Sequence, residues 1–282
     1  MTKRTFQLSD LWRSFNLPEL AANPDSRDQR QAFGLFLTLF VTAWTVYSVL
    51  SRNNLDINSD MSENYSWSRE LQFGYYKHPP MFAWVVAAWF KVFPTDDGFY
   101  FLLSFANVAI GMAGIWMLIG IFDRSPRRMA VLLAMSLLPF YTFSAIKFNA
   151  NTILLAVWPW LAWATIIAVR DRTLLHATGA GLLAALAMLS KYVSAVMLLT
   201  MFAASFTVPG WREFYRSRAF GAMLGAFAIV VAPHLVWLHL TGYTTFKYVD
   251  SNKADDLGRF VSGVFNFVLA QGLWMSAMIG TE

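Results

Sequence analysis

The chain has 282 residues, 57% of them hydrophobic and 17% aromatic, with only 14% charged and a mean hydropathy of +0.44. Soluble domains carry roughly a quarter charged residues, so this composition excludes an ordinary soluble domain and predicts an all-α polytopic membrane protein with about eight transmembrane helices. The lack of cysteine excludes disulfides, thiolate nucleophiles and Cys-ligated metals; the net charge of +5 follows membrane topology and calls for no nucleic-acid partner.

The first 31 residues are polar and form an N-terminal tail ahead of a transmembrane domain over 32–282. Within the tail, "LSDLWRSF" spaces Leu8, Leu11, Trp12 and Phe15 for a helix beside Arg13, which suits either a short interfacial helix or an unstructured tail. No cleavable signal peptide is visible, so the first apolar run stays as an anchor. Spans are expected at 32–50, 99–122, 129–146, 151–169, 174–190, 192–208, 219–239 and 260–280. "MFAWVVAAWFKVF" at 81–93 is too short to cross and starts at Pro79-Pro80, so it is expected as a helix on the outer membrane surface. The final "VLAQGLWMSAMIGTE" ends within or just beyond an apolar span and reads as part of a longer protein.

Basic residues orient the chain. With the N-terminus cytoplasmic, inner segments hold 13 of the 22 Lys and Arg residues and a net charge of +6, whereas the outer segments are neutral. Short inner loops such as "DRSPRR" are basic, which predicts N-in topology. Every unusual polar cluster then falls on the outer side: 60–78, "IKFNANT", "LSKYVS" and "TTFKYVDSNK". Loops from separate spans are expected to converge there, around an outer loop at 51–98, as a site would require.

Asp60 and Glu63 share a face if their segment is helical, as a general base or a divalent-metal site would require; acids on a solvated loop are the alternative. Lys77 and His78 precede a stiff Pro pair and suit an anionic oxygen, or else lipid headgroups. Lys147, Asn149 and Asn151 offer groups to a sugar or phosphate, although Asn is also a common helix cap. Lys191 lies between apolar runs, either at an interface turn or in a polar cavity. Tyr192 beside it suits sugar stacking or an aromatic belt. His234, inside a span, is expected as a hydrogen-bonded core histidine. No phosphate-binding Gly loop, HExxH or GxSxG occurs.

The stretch "DMSENYSWSRELQFGYYKHPP" at 60–80 resembles the first external loop of bacterial C-type membrane glycosyltransferases of family 39, the group of protein O-mannosyltransferases and lipid A aminoarabinose transferases. "KFNANTILLAVWPW", "LSKYVSAVML" and "APHLVWL" follow in the expected order, so the resemblance runs from residue 32 to the end. It implies transfer of a sugar from a polyprenyl-phosphate donor to a glycolipid, glycan or protein acceptor on the outer face of the membrane, with no certain cofactor. It also implies that Asp60 is the catalytic acid, with Glu63 beside it; many relatives place two acids adjacent, whereas Met61 and Ser62 intervene here. Tyr76, Lys77 and His78 would then face phosphate or acceptor, and Lys147, Asn149, Asn151, Lys191 and Tyr192 the donor headgroup. A transporter or flippase of lipid-linked sugars is the competing reading; it wants charges spread through the spans and an internal repeat.

Overall fold

The computed structural model describes residues 27–52, 59–125, 127–251 and parts of 261–269. Among them every regular element is helical. The expected tail helix at 8–15 and most of the span at 260–280 lie outside the described residues.

Helix α1 (Arg27–Ser51) starts earlier than its apolar run and leaves most of its surface exposed. α2 (Ser59–Ser68) and α3 (Met81–Val92) form the loop between the first two long helices. α3 has 12 residues, begins at N-cap Pro80 and buries Phe82, Ala83 and Val86, as a short surface helix should. α4 (Asp97–Ile119) is capped by Asp96, whose side chain accepts from the Gly98 amide at 2.7 Å.

α5 (Arg127–Met135) and two 3₁₀ turns, Pro139–Tyr141 and Phe143–Ile146, occupy the expected span at 129–146, but the run bends by 78°. Pro139 explains the break. It has no amide to donate, and it holds Leu138 in extended backbone at φ −74, ψ 133. α6 (Ile153–Asp171), α7 (Leu174–Ser190), α8 (Ser194–Ser205), the short α9 (Trp211–Tyr215), α10 (Arg218–Leu240) and α11 (Thr244–Ser251) complete the described chain. Thr173 and Ser217 cap α7 and α10 by accepting from the His176 and Phe220 amides.

Four helices, α1, α4, α6 and α10, are long and apolar enough to cross a membrane, and the bent pair makes a fifth; α7 and α8 are apolar but shorter. Against the expected eight, the structure thus supports four to five by length and composition among the described residues.

The main packing runs α1 on α4, α4 on α6, α6 on α7 and α7 on α10. Small residues permit the closest approaches. A β-carbon at Gly111 would lie 2.1 Å from the Leu155 carbonyl, and one at Gly181 2.1 Å from that of Met223. The core between α4 and α6 is aromatic-rich, with Phe82, Tyr100, Phe105 and Phe148 fully buried. At the opposite end of the bundle from α2 and α3, Arg128 lies 3.6 Å over the Trp116 ring, against which Phe33 also stacks.

Candidate functional site

The polar residues of α4 explain why α2 and the 146–152 segment meet. The Tyr100 hydroxyl donates to the Met61 carbonyl at 3.0 Å, Ser104 Oγ to the Ile146 carbonyl at 2.8 Å and Asn107 Nδ2 to the Thr152 carbonyl at 2.7 Å. Asn64 Nδ2 then donates to the Phe148 carbonyl at 2.8 Å, joining α2 to that segment. All four side chains are buried, where an unmet amide or hydroxyl costs about 1–3 kcal/mol, so the attachments hold α2 in one register.

That register brings Asp60 to Asn149, whose Nδ2 donates to Asp60 Oδ2 at 2.8 Å. Asn149 Oδ1 in turn accepts from the amides of Asn151 and Thr152, at 2.9 and 3.0 Å. The capping expected of Asn151 is not met, because α6 has Thr152 as its N-cap with no side-chain cap bond; Asn149 instead ties the turn ahead of the helix, and the same side chain orients the acid. Asn151 Oδ1 accepts from Lys191 Nζ, the residue that ends α7. Asp60, Asn149, Asn151 and Lys191 thus form one chain across three segments far apart in sequence. Burial depresses the lysine's pKa, against the attraction of Asp60.

A second group lies on the same loop. Glu63 Oε1 accepts from Lys77 Nζ at 2.7 Å and from the Tyr76 hydroxyl at 3.1 Å. The hydrogen bond to Glu63 raises the pKa of Lys77, which also faces the Tyr248 ring at 5.8 Å. His78 is half-buried against Trp67 and Phe82 and lies in the fields of both groups. Its pKa is pushed down chiefly by burial, then by the charge of Lys191. It is therefore a neutral imidazole at neutral pH.

Two expected residues lie elsewhere. Lys147 lines a separate cavity of about 290 Å³ with Arg52, Met61, Phe101, Phe143 and Ser144. Tyr192 is engaged by His234, whose Nε2 lies 2.8 Å from the tyrosine hydroxyl. The other ring nitrogen of His234 meets the Phe73 carbonyl at 2.5 Å, which makes Nδ1 the donor and Nε2 the acceptor. His234 is buried and hydrogen-bonded, as expected, and it also fastens the 72–80 turn to α10. Thr245 Oγ1 adds a bond to the Tyr75 carbonyl at 3.1 Å, and the Trp67 and Tyr75 rings stack at 4.9 Å.

Sequence reasoning missed Asn64, Tyr100, Ser104 and Asn107. Polar residues within apolar segments are the signal that marks them, but their partners are backbone carbonyls of other segments. Among the described residues no group of three or more His, Cys, Asp or Glu side chains gathers as metal ligands would. Asp60 and Glu63 turn to different partners, Asn149 and Lys77.

Long apolar helices carrying an acid, amides, lysines and an imidazole at one end define a multi-pass membrane protein with a polar site at the bundle's edge. The chain belongs to the dolichyl-phosphate-mannose-protein mannosyltransferase family, which matches residues 77–237. It is also similar to a lipid A galacturonosyltransferase, RgtD, of Rhizobium johnstonii, at 40% identity over 55 residues. That stretch is 20% of this chain and covers 11% of the relative's length. No solved structure matches the chain.

Proposed function

We propose that the chain is the catalytic part of a glycosyltransferase that moves a sugar from a polyprenyl-phosphate donor to an acceptor hydroxyl at the outer face of the cytoplasmic membrane. Family membership supports the reaction class, and the donor is the lipid-linked sugar that such a membrane enzyme would meet. The acceptor is a glycolipid, glycan or protein. One observation carries the reading: the Asp60–Asn149–Asn151–Lys191 chain sets an oriented carboxylate and an ammonium at the same end of the bundle.

In this reading Asp60 takes the proton of the acceptor hydroxyl, whose oxygen attacks the anomeric carbon. The bond from that carbon to the phosphate oxygen breaks, and the electron pair leaves with the polyprenyl phosphate. Lys191 stabilises the charge that develops on the phosphate, and its partial burial strengthens the interaction. Asn149 orients Asp60 by donating to Oδ2 of its carboxylate. The Glu63–Lys77 pair is already satisfied and acts on position and local charge. Inversion at the anomeric carbon follows, because no enzyme nucleophile is required.

The test is release of free polyprenyl phosphate from a panel of labelled polyprenyl-phosphate sugars, in membranes holding the full-length protein. Turnover with one sugar, reduced by about 10²–10⁴-fold in Asp60→Asn, is the expected result. Movement of labelled lipid across the bilayer with no turnover of any donor would replace the transferase with a transporter.

A further inference from the structure

At the end of the bundle away from Asp60, helices α6 to α10 enclose an apolar cavity of about 310 Å³. Its floor is made of small residues, Ala180, Gly181 and Ala184 on α7, which open space between α6 and α10. The space persists because α8 is short: 12 residues span only about 18 Å, and α9 then turns across its end. Two lining side chains, Phe202 and Leu224, are each 49% exposed, so the cavity opens between α8 and α10 onto the apolar surface of the bundle.

The mouth of the cavity changes character within one helical turn. Ser205 and Tyr215, both lining it, share a hydrogen bond of 2.7 Å, within an aromatic collar that includes Phe206 and Trp211. Arginines follow directly. Arg170 pairs with Asp171 at 2.6 Å and Arg172 with Glu213 at 4.0 Å. Arg212 lies beside the Trp211 ring, and Arg216 and Arg218 are exposed with no ion pair to a described residue. A hydrocarbon slot, a polar hydroxyl pair and an uncompensated arginine rim thus follow one another in the order of an acyl chain, an ester region and a phosphate.

We infer that this cavity binds an anionic phospholipid, with one acyl chain between α6, α8 and α10 and its phosphodiester on Arg216 and Arg218. Charge complementarity selects the headgroup: three arginines exceed the acids that pair at this end, and guanidinium groups match phosphate oxygens in a bidentate fork. The cavity's apolar lining and its lateral opening select a lipid over a soluble anion. The site lies at the opposite end from the Asp60 cluster and stands whether or not the transferase reading holds.

The purified full chain in maltoside micelles tests the inference by native mass spectrometry, with dioleoyl-phosphatidylglycerol or dioleoyl-phosphatidylcholine added. The phosphatidylglycerol should be retained at least about fivefold more than the phosphatidylcholine, on the scale of one basic contact to an anionic lipid. The Arg216→Gln/Arg218→Gln variant should bring the ratio close to one, and Arg216→Lys/Arg218→Lys should restore much of it. Thr165→Phe, which fills the cavity, should reduce retention of phosphatidylglycerol with an unchanged far-ultraviolet helix signal. If that variant fails to fold, the exposed arginine variants carry the decision alone. Equal retention of the two lipids, or a preference that survives the arginine changes, overturns the inference. In a parallel sample with polyprenyl phosphate added, retention of that lipid lost in Thr165→Phe while phosphatidylglycerol retention is unchanged also overturns it, and would give the cavity to a polyprenyl chain.

Discussion

At the residue scale, the two acids of α2 are separated by their partners. Asp60 Oδ2 accepts from the Asn149 side-chain amide, a neutral donor, whereas Glu63 Oε1 holds an ammonium and a phenol. Glu63→Gln should therefore lose less turnover than Asp60→Asn, and mainly through substrate affinity. Equal losses in kcat for the two variants would move the base to Glu63. His78 gives a pH signature. Its folded pKa lies below the ordinary 6.5, so below about pH 6.5 the unfolded ring binds a proton that the folded ring refuses. Folding stability then rises with pH through that window and falls on acidification. Tm followed from about pH 7.5 to 5 should drop more steeply in the wild type than in His78→Gln. Parallel curves would show that the ring is not held in its buried, neutral form.

At the element scale, the site depends on how closely α4 and α6 approach, because α4 holds both α2 and the 146–152 segment. Gly111 sets that approach, since any side chain there would meet the Leu155 backbone. Gly111→Val should cost about 1–3 kcal/mol of stability, read as a lower unfolding midpoint in detergent. Its loss of activity should resemble that of Asn64→Leu, which frees α2 without touching the helix pair. A stable Gly111→Val protein with full activity would mean that the helices need not be this close. The short elements of this region were partly legible in sequence. The 12-residue α3 was expected, because Pro80 starts it and its apolar run is too brief to cross. The bend at Pro139 was not, because hydropathy alone reads straight through a proline.

At the scale of the whole molecule, the alternating connections sort to two ends. Those holding Asp60, Asn149, Lys191 and Thr245 meet at one, while Gln29 Nε2 donates to the Arg124 carbonyl at the other. Basic residues at the second end predict that it is cytoplasmic. The chain has no cysteine, so single substitutions can be read without background. Glu70→Cys should react with a membrane-impermeant maleimide on intact cells, and Arg127→Cys only after the membrane is opened. The reverse pattern would invert the topology and put the Asp60 cluster on the cytoplasmic side.

By itself the sequence determined the membrane class, the helical architecture and the family. These follow from composition, from apolar run length and from a contiguous loop motif, all local properties of the chain. Only the tertiary structure decided that Asn149 rather than Glu63 attends Asp60, that Lys147 faces another cavity and that His234 clamps the 72–80 turn. Such pairings join residues 42 to 161 positions apart, through hydrogen bonds that direction and distance alone select. The arginine-rimmed apolar slot has the same origin: it exists because α8 is shorter than α6, α7 and α10 and α7 carries small residues, a space that no single segment encodes.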